Sequence, residues 1–163
     1  MELIIDGYNL LALEKRLDRG LEQSRNSLIG RLVRYRKAKP MQLTVVFDGW
    51  RSGSASETSL TQDGITIVYS RLGEKADAVV IRLARQKNHG AVVVSSDREI
   101  RNAVERFGAV AIRAQEFYDI LEELDFPGAA EEFADWQDDP PKRAGRISKI
   151  DRKRQDSLRK LRL

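Results

Sequence analysis

The sequence predicts an α/β fold built around a central parallel sheet, and three observations carry that prediction. Short, nearly continuous apolar runs of strand length recur along the first 113 residues, as expected of strands buried on both faces. Amphipathic stretches of helix length separate them, the pattern of parallel strands joined by right-handed crossovers. Three of the runs also close on an aspartate: Leu3-Ile4-Ile5 on Asp6, Leu43-Thr44-Val45-Val46-Phe47 on Asp48, and Val92-Val93-Val94-Ser95-Ser96 on Asp97. Open parallel sheets bind ligands beyond the carboxyl ends of their strands, so the fold prediction also places a candidate site.

The elements follow in order. The first strand is residues 2–6. A helix over about 24–39 takes Ser24 as its N-cap and Pro40 as its stop. Leu28, Ile29, Leu32 and Val33 form its apolar face. The second strand is 42–48, and the polar, glycine- and serine-rich stretch 51–63 reads as a mobile loop. A third strand covers 65–70, a helix 76–88, a fourth strand 91–95, a helix 98–107, a fifth strand 109–113 and a helix 115–124. No internal repeat is visible. The expected division is an α/β domain over 1–125, an acidic connection over 126–141 and a basic tail over 142–163.

Composition removes several chemistries. There is no cysteine, which excludes disulfides, zinc fingers and thiol catalysis. The one histidine, His89, sits in a helix-end turn, Lys87-Asn88-His89-Gly90, so neither a paired-histidine ribonuclease nor a histidine metal site can be assembled. No run of 18 apolar residues exists, and the N-terminus enters a strand directly, so the expectation is a soluble cytoplasmic protein with no membrane partner. The net charge of +4 is uneven: residues 142–163 hold ten Lys/Arg against two Asp, a net of +8, and the rest of the chain is net −4. From Glu116 to Asp139 there are ten acidic residues and no Lys or Arg. A basic terminal arm of this kind suits a polyanionic partner. Ile147, Ile150, Leu158 and Leu161 in that arm lie at helical spacings, consistent with a basic amphipathic helix that forms on meeting a surface.

Each carboxylate has a structural and a chemical reading. Asp6 precedes Gly7-Tyr8-Asn9, where the glycine permits a sharp turn and Asn9 is placed to orient a carboxylate or a water; the structural reading is an Asx turn. Asp77 falls in the first turn of its helix, which the helix dipole favours by itself. Glu74 is a secondary acidic candidate in the same turn, and Asp48, before Gly49-Trp50, is another. Asp97 can cap the helix that follows, although Ser96 can do so equally and leave Asp97 available to a ligand. Carboxylates gathered on one edge repel unless a proton or a cation is shared between them. Carboxylates with water suit Mg²⁺ or Mn²⁺, hard cations that also bind phosphate oxygens. Such ions activate water and stabilise a leaving oxygen without a protein nucleophile.

Ile4-Ile5-Asp6-Gly7-Tyr8-Asn9, Val46-Phe47-Asp48, Gly73-Glu74-Lys75-Ala76-Asp77 and Val93-Val94-Ser95-Ser96-Asp97 occur in the order seen in NYN domains. Over about residues 1–125 the chain resembles most the YacP-like branch, bacterial relatives of PIN-domain nucleases. The resemblance implies a PIN-like three-layer α/β fold and Mg²⁺- or Mn²⁺-dependent endoribonuclease activity. For this branch it also implies association with the ribosome and with mRNA decay. It makes Asp6, Asp77 and Asp97 the metal-binding acids and sets Asn9 beside them as a further catalytic residue. Ala78 stands where some relatives carry a second Asp, and Arg98 and Arg101 flank Glu99 where many carry another acid.

RNA-binding candidates surround this edge: Arg51 in the loop, Arg71 and Lys75 beside Asp77, and Ser96, Arg98 and Arg101 around Asp97. Tyr8, Trp50 and Tyr69 offer rings for stacking on unpaired bases. Lys149, Arg152, Lys153 and Arg154 of the tail add attraction for phosphates. The expected function is a metal-dependent endoribonuclease that cleaves single-stranded RNA through metal-activated water, leaving a 5′-phosphate and a 3′-hydroxyl. The alternatives are a catalytically weak or inactive NYN domain that binds RNA or the ribosome, and a toxin-type PIN nuclease held by a protein inhibitor. A haloacid dehalogenase-type phosphatase needs an Asp where Tyr8 stands, and no Gly-Lys-Ser/Thr loop of a P-loop hydrolase is present.

Overall fold

The computed structural model describes residues 1–14, 20–49, 55–127 and 148–162. Six strands form one sheet: β1 (Glu2–Asp6), β2 (Gln42–Phe47), β3 (Thr58–Gln62), β4 (Ile65–Tyr69), β5 (Ala91–Val94) and β6 (Val110–Ile112), in the order β3-β4-β2-β1-β5-β6. All neighbouring pairs are parallel except β3 with β4. The described residues also form helices α1 (Gly7–Leu11), α2 (Leu21–Ala38), α3 (Ala76–Lys87), α4 (Arg98–Arg106), α5 (Ala114–Asp125) and α6 (Lys149–Leu161), with a 3₁₀ turn over Asn88–Gly90.

Side-chain alternation along the strands divides the core in two. Leu3, Ile5, Leu43, Val45 and Phe47 face α1, α2 and α5, where they meet Leu10, Leu28, Leu32 and Phe117. Ile4, Val46, Val68 and Val93 face α3 and α4, where they meet Val79, Val80, Ile100 and Val104. The predicted three layers are therefore present, and the apolar strand runs are explained by helices covering both faces.

Three local expectations are corrected. The stretch 51–63 is not loop throughout, because β3 occupies its second half and pairs with β4 through Gln62↔Ile65. The turn between them is Asp63-Gly64, both at positive φ (48° and 82°), the two-residue geometry whose right-handed twist matches a hairpin. Because β3 is exposed along its whole length, it carries no apolar signature. Helix α2 begins one turn early, at Leu21 after Gly20, and Ser24 lies inside it with its hydroxyl donating to the Gly20 carbonyl at 3.0 Å. Finally, Gly7 continues straight from β1 into a short helix rather than a turn.

The C-terminal residues 149–161 do not stand apart from this body. Helix α6 packs on β6 and α5, its Leu161 is 0 % exposed within the α2/α5 core, and the Tyr35 hydroxyl donates to the Leu161 carbonyl at 2.7 Å. The amphipathic helix read from the tail thus finds its surface on the chain's own sheet edge. Residues 128–147, including most of the acidic connection, lie outside the described residues.

Candidate active site

Strand order reverses beside β1: the chain builds outward through β2 and β4, then returns to β5 on the other flank of β1. In such sheets the crevice between the two diverging connections is where ligands bind. Asp6 ends β1 and Ser95-Ser96-Asp97 follows β5, so these residues straddle that switch point.

Asp6 is 2 % exposed and caps α1, its carboxylate accepting the Asn9 backbone N–H at 3.3 Å and the Asn9 amide Nδ2 at 2.5 Å. The other end of the same amide, Oδ1, accepts the Ser96 backbone N–H at 3.1 Å. Asn9 is thus a bridge between the two connections. A glycine at position 7 is required by contact, since a Cβ there would lie 2.3 Å from the Phe47 ring. Phe47 in turn is held edge-on by Tyr8 (centroids 5.5 Å apart) and stacked by Tyr69 (5.9 Å).

Asp97 is the cap of α4, accepting the N–H of Glu99 at 2.7 Å and of Ile100 at 3.4 Å through Oδ1. Its own N–H donates to the hydroxyl of buried Ser95 at 3.1 Å. The division of labour expected here is therefore corrected. Asp97 does the capping, because it and not Ser96 is the residue directly before the first turn of α4.

Asp48 is more central than its sequence context suggested. Its Oδ1 accepts the Ala76 N–H at 2.5 Å, standing in for the missing side-chain cap of α3, whose own N-cap, Lys75, makes none. Beside it, buried Ser70 donates to the Glu74 carbonyl at 2.6 Å and accepts the Gly49 N–H at 3.0 Å, while its own N–H donates to the Phe47 carbonyl at 3.0 Å. Ser70 thereby ties the ends of β2 and β4 to the start of α3, which carries Asp77 in its first turn. Nothing in the sequence singled out Ser70; a small polar residue closing an apolar strand is its only trace. Glu74 behaves differently from the aspartates. It faces Arg71 at 3.5 Å and Arg82 at 3.6 Å and is neutralised there.

The aspartates sense one another. Burial pushes the Asp6 carboxyl up to about 6; the Asn9 hydrogen bonds oppose this, and the Asp77 and Asp48 charges add to it. Asp77 is also raised, by burial and then by Asp97 and Asp48, with Lys75 opposing. Among the described residues no Lys or Arg offsets the burial of Asp6. The four carboxylates are gathered but not closed: among the described residues no three His, Cys, Asp or Glu side chains stand together at metal-binding spacing.

The cationic candidates fall into two places. Arg71 and Lys75 line one open depression with Asp77, and Ser96 and Arg98 are exposed on either side of Asp97 in the chain. Arg101 is half-buried, with its Nε unpartnered among the described residues. Tyr8 is half-buried against Phe47, and Tyr69 lies between Phe47 and the Arg25 guanidinium (5.6 Å), so both rings serve packing. Trp50 and Arg51 lie outside the described residues. Lys149, Arg152, Lys153 and Arg154 are on α6, against the β6 edge, and Arg154 pairs with Glu116.

A mostly parallel six-stranded sheet, helices on both faces and an acidic switch-point edge together make a nuclease-like α/β domain of the PIN-like class. The chain belongs to the YacP-like NYN domain family, whose model matches residues 3–163. Among solved structures it is similar to Rae1 (YacP) from Bacillus subtilis, with a TM-score of 0.63 and 22% identity over 81% of this chain and 79% of that one. A single-substitution mutant of the same protein matches with a TM-score of 0.61 and 20% identity, over 99% of this chain and 92% of that one. At these identities the likeness speaks to the fold. No curated protein matches the sequence.

Proposed function

We propose that this protein is a metal-dependent endoribonuclease acting on single-stranded RNA at the β1/β5 switch point, with Mg²⁺ or Mn²⁺ as cofactor. The observation that carries the reading is Asp6, a carboxylate 2 % exposed, with no cationic partner among the described residues, facing Asp48 and Asp77. Such a charge is costly without a cation. The donor set fits a hard divalent ion: Mg²⁺ keeps several waters and takes only one or two direct carboxylates, so a closed three-acid shell is not needed. When bound, the ion would activate water and offset phosphate charge.

The chain's own residues do the rest. Asp6, Asp77 and Asp97 would hold the ion, in part through its waters, and Asp48 would lend further negative charge. Asn9 keeps the Asp6 carboxylate oriented through Nδ2 and the Ser96 turn in place through Oδ1. Arg71, Lys75 and Arg98 meet the phosphates on either side. Membership of a nuclease-like family supports the nuclease part of this reading, and a link to mRNA decay and the ribosome is proposed with it.

The test is cleavage of a labelled, unstructured RNA with Mn²⁺ or EDTA, beside Asp97→Asn, which keeps the cap of α4 because Asn caps as well as Asp. Metal-dependent cutting lost in the variant supports the reading; cutting that survives both EDTA and the substitution sinks it. The second reading, an RNA-binding domain with a degenerate metal site, draws on the commitment of Asp97 Oδ1 to capping and on the open carboxylate set. RNA retention without any cutting would favour it.

A further inference from the structure

Helix α6 is fastened by one face only. Leu161 and Ser157 are buried, Leu158 packs beside them, and Tyr35 and Lys39 donate to the carbonyls of Leu161 and Arg162. The outward face carries Lys149, Arg152, Lys153 and Lys160, all exposed and without an ion pair among the described residues. Asp151 is turned to the Ser148 cap and Asp156 to Arg159, so neither neutralises those four. The result is a rigid cationic rod over a helix of 13 residues, about 20 Å long.

Its position differs from that of the acids. Lys153 and Lys160 share a depression with Met1, His89, Gly90 and Val110, at the amino ends of β1, β5 and β6. Asp6 is at the other end of β1, a strand length of roughly 17 Å away. The few nucleotides at the acidic edge therefore do not also contact these lysines. The composition of α6 restricts the ligand further. It contains no aromatic residue, so it offers no platform for unstacked bases, the feature on which single-strand recognition depends. Double-helical RNA is instead met through its backbone phosphates and shape. A membrane surface is disfavoured because the apolar face of α6 is already spent on the core, leaving only Ile150 among its large apolar side chains exposed.

We infer that α6 is a second nucleic-acid surface, a docking rod for folded, double-helical RNA, separate from the edge proposed to act on single strands. The inference takes from the proposed function only that the partner is RNA. The protein would hold a structured region by its phosphates while an unpaired segment reaches the acids on the opposite edge.

The experiment is fluorescence anisotropy with a labelled 20-base-pair RNA duplex and a labelled unstructured 8-mer, without divalent metal, over a series of salt concentrations. It compares the full chain with Lys149→Gln/Arg152→Gln/Lys153→Gln/Lys160→Gln, whose fold is checked by circular dichroism. These positions are exposed and glutamine suits a helix, and a second variant carrying only Lys149→Gln/Arg152→Gln guards against loss of fold. The expected result is a fall in duplex affinity of at least about 10-fold and a shallower dependence of log K on log salt. The 8-mer should lose less than about threefold. Unchanged duplex binding, or equal losses for duplex and 8-mer, would overturn the inference; so would retention on vesicles containing anionic lipid without duplex binding. An absence of cleavage beside α6-dependent duplex binding removes the nuclease reading and leaves this one standing.

Discussion

The Asn9 side chain accepts the Ser96 backbone N–H at 3.1 Å while donating to the Asp6 carboxylate at 2.5 Å. The Asn9 amide therefore reaches a residue 87 positions further along the sequence and sets the spacing of the two connections that diverge at the switch point. Asn9→Ala removes both bonds and leaves a buried carboxylate with one partner fewer. We expect a loss of about 1–3 kcal/mol in urea unfolding and a fall in cleavage larger than that loss of stability explains. Asn9→Asp should be worse for cleavage, because it sets a second charge against Asp6. An Asn9→Ala variant with native stability and activity would remove Asn9 from the site.

Asp6 gives a pH signature. Its carboxyl rises from 3.8 in the unfolded chain to about 6 when folded, so the folded state holds the proton more tightly. The associated stability is present in full below pH 4 and is lost as pH rises through 6. A shift of this size corresponds to about 3 kcal/mol. Metal-free protein should therefore lose stability between pH 4 and 6.5 more steeply than Asp6→Asn, as measured by denaturant midpoints. Mn²⁺ at pH 7 should recover part of the loss in the wild type only; equal recovery in Asp6→Asn would show that the ion binds elsewhere.

Gly7→Ala drives a methyl into the Phe47 ring, 2.3 Å from its nearest carbon. Overpacking of this kind costs about 1–3 kcal/mol. Phe47→Leu should relieve much of that cost in a double-mutant cycle, since the two residues touch. Additive losses would show that Gly7 is needed for some other reason.

Asp48→Ala leaves the first N–H of α3 without its acceptor, and a lost cap costs about 0.5–2 kcal/mol. Asp48→Asn keeps the acceptor and removes only the charge. Thermal unfolding should therefore separate Ala from Asn, while metal affinity, read by titration, should fall in both.

Leu161→Ala opens a cavity in the α2/α5 core, where the side chain is fully buried. The expected loss is about 2–5 kcal/mol, seen as an earlier urea midpoint. A loss below about 0.5 kcal/mol would mean that α6 contributes nothing to the stability of the body.

The parallel strands and the helices between them were legible because burial on both faces leaves continuous apolar runs, and Pro40 marks the end of the first long helix. Strand β3 was not legible: it is exposed on an edge, so only the Asp63-Gly64 turn marks it. The early start of α2 was hidden for a related reason. Gly20 caps it without a side chain, whereas Ser24, the better capping residue on paper, donates backwards within the helix.

By itself the sequence determined the strand-end aspartates, the α/β class and the uneven charge, because each is a local property of composition or period. Which aspartates meet is a property of strand order. Only the return of β5 to the far side of β1 brings Asp97 and Ser96 to Asn9 and Asp6. Tertiary structure alone also paired Glu74 with two arginines and raised Asp48 from a bystander to the cap of α3. It set the basic helix against β6, a strand length from the acids, because the buried face of α6 had a core to complete there.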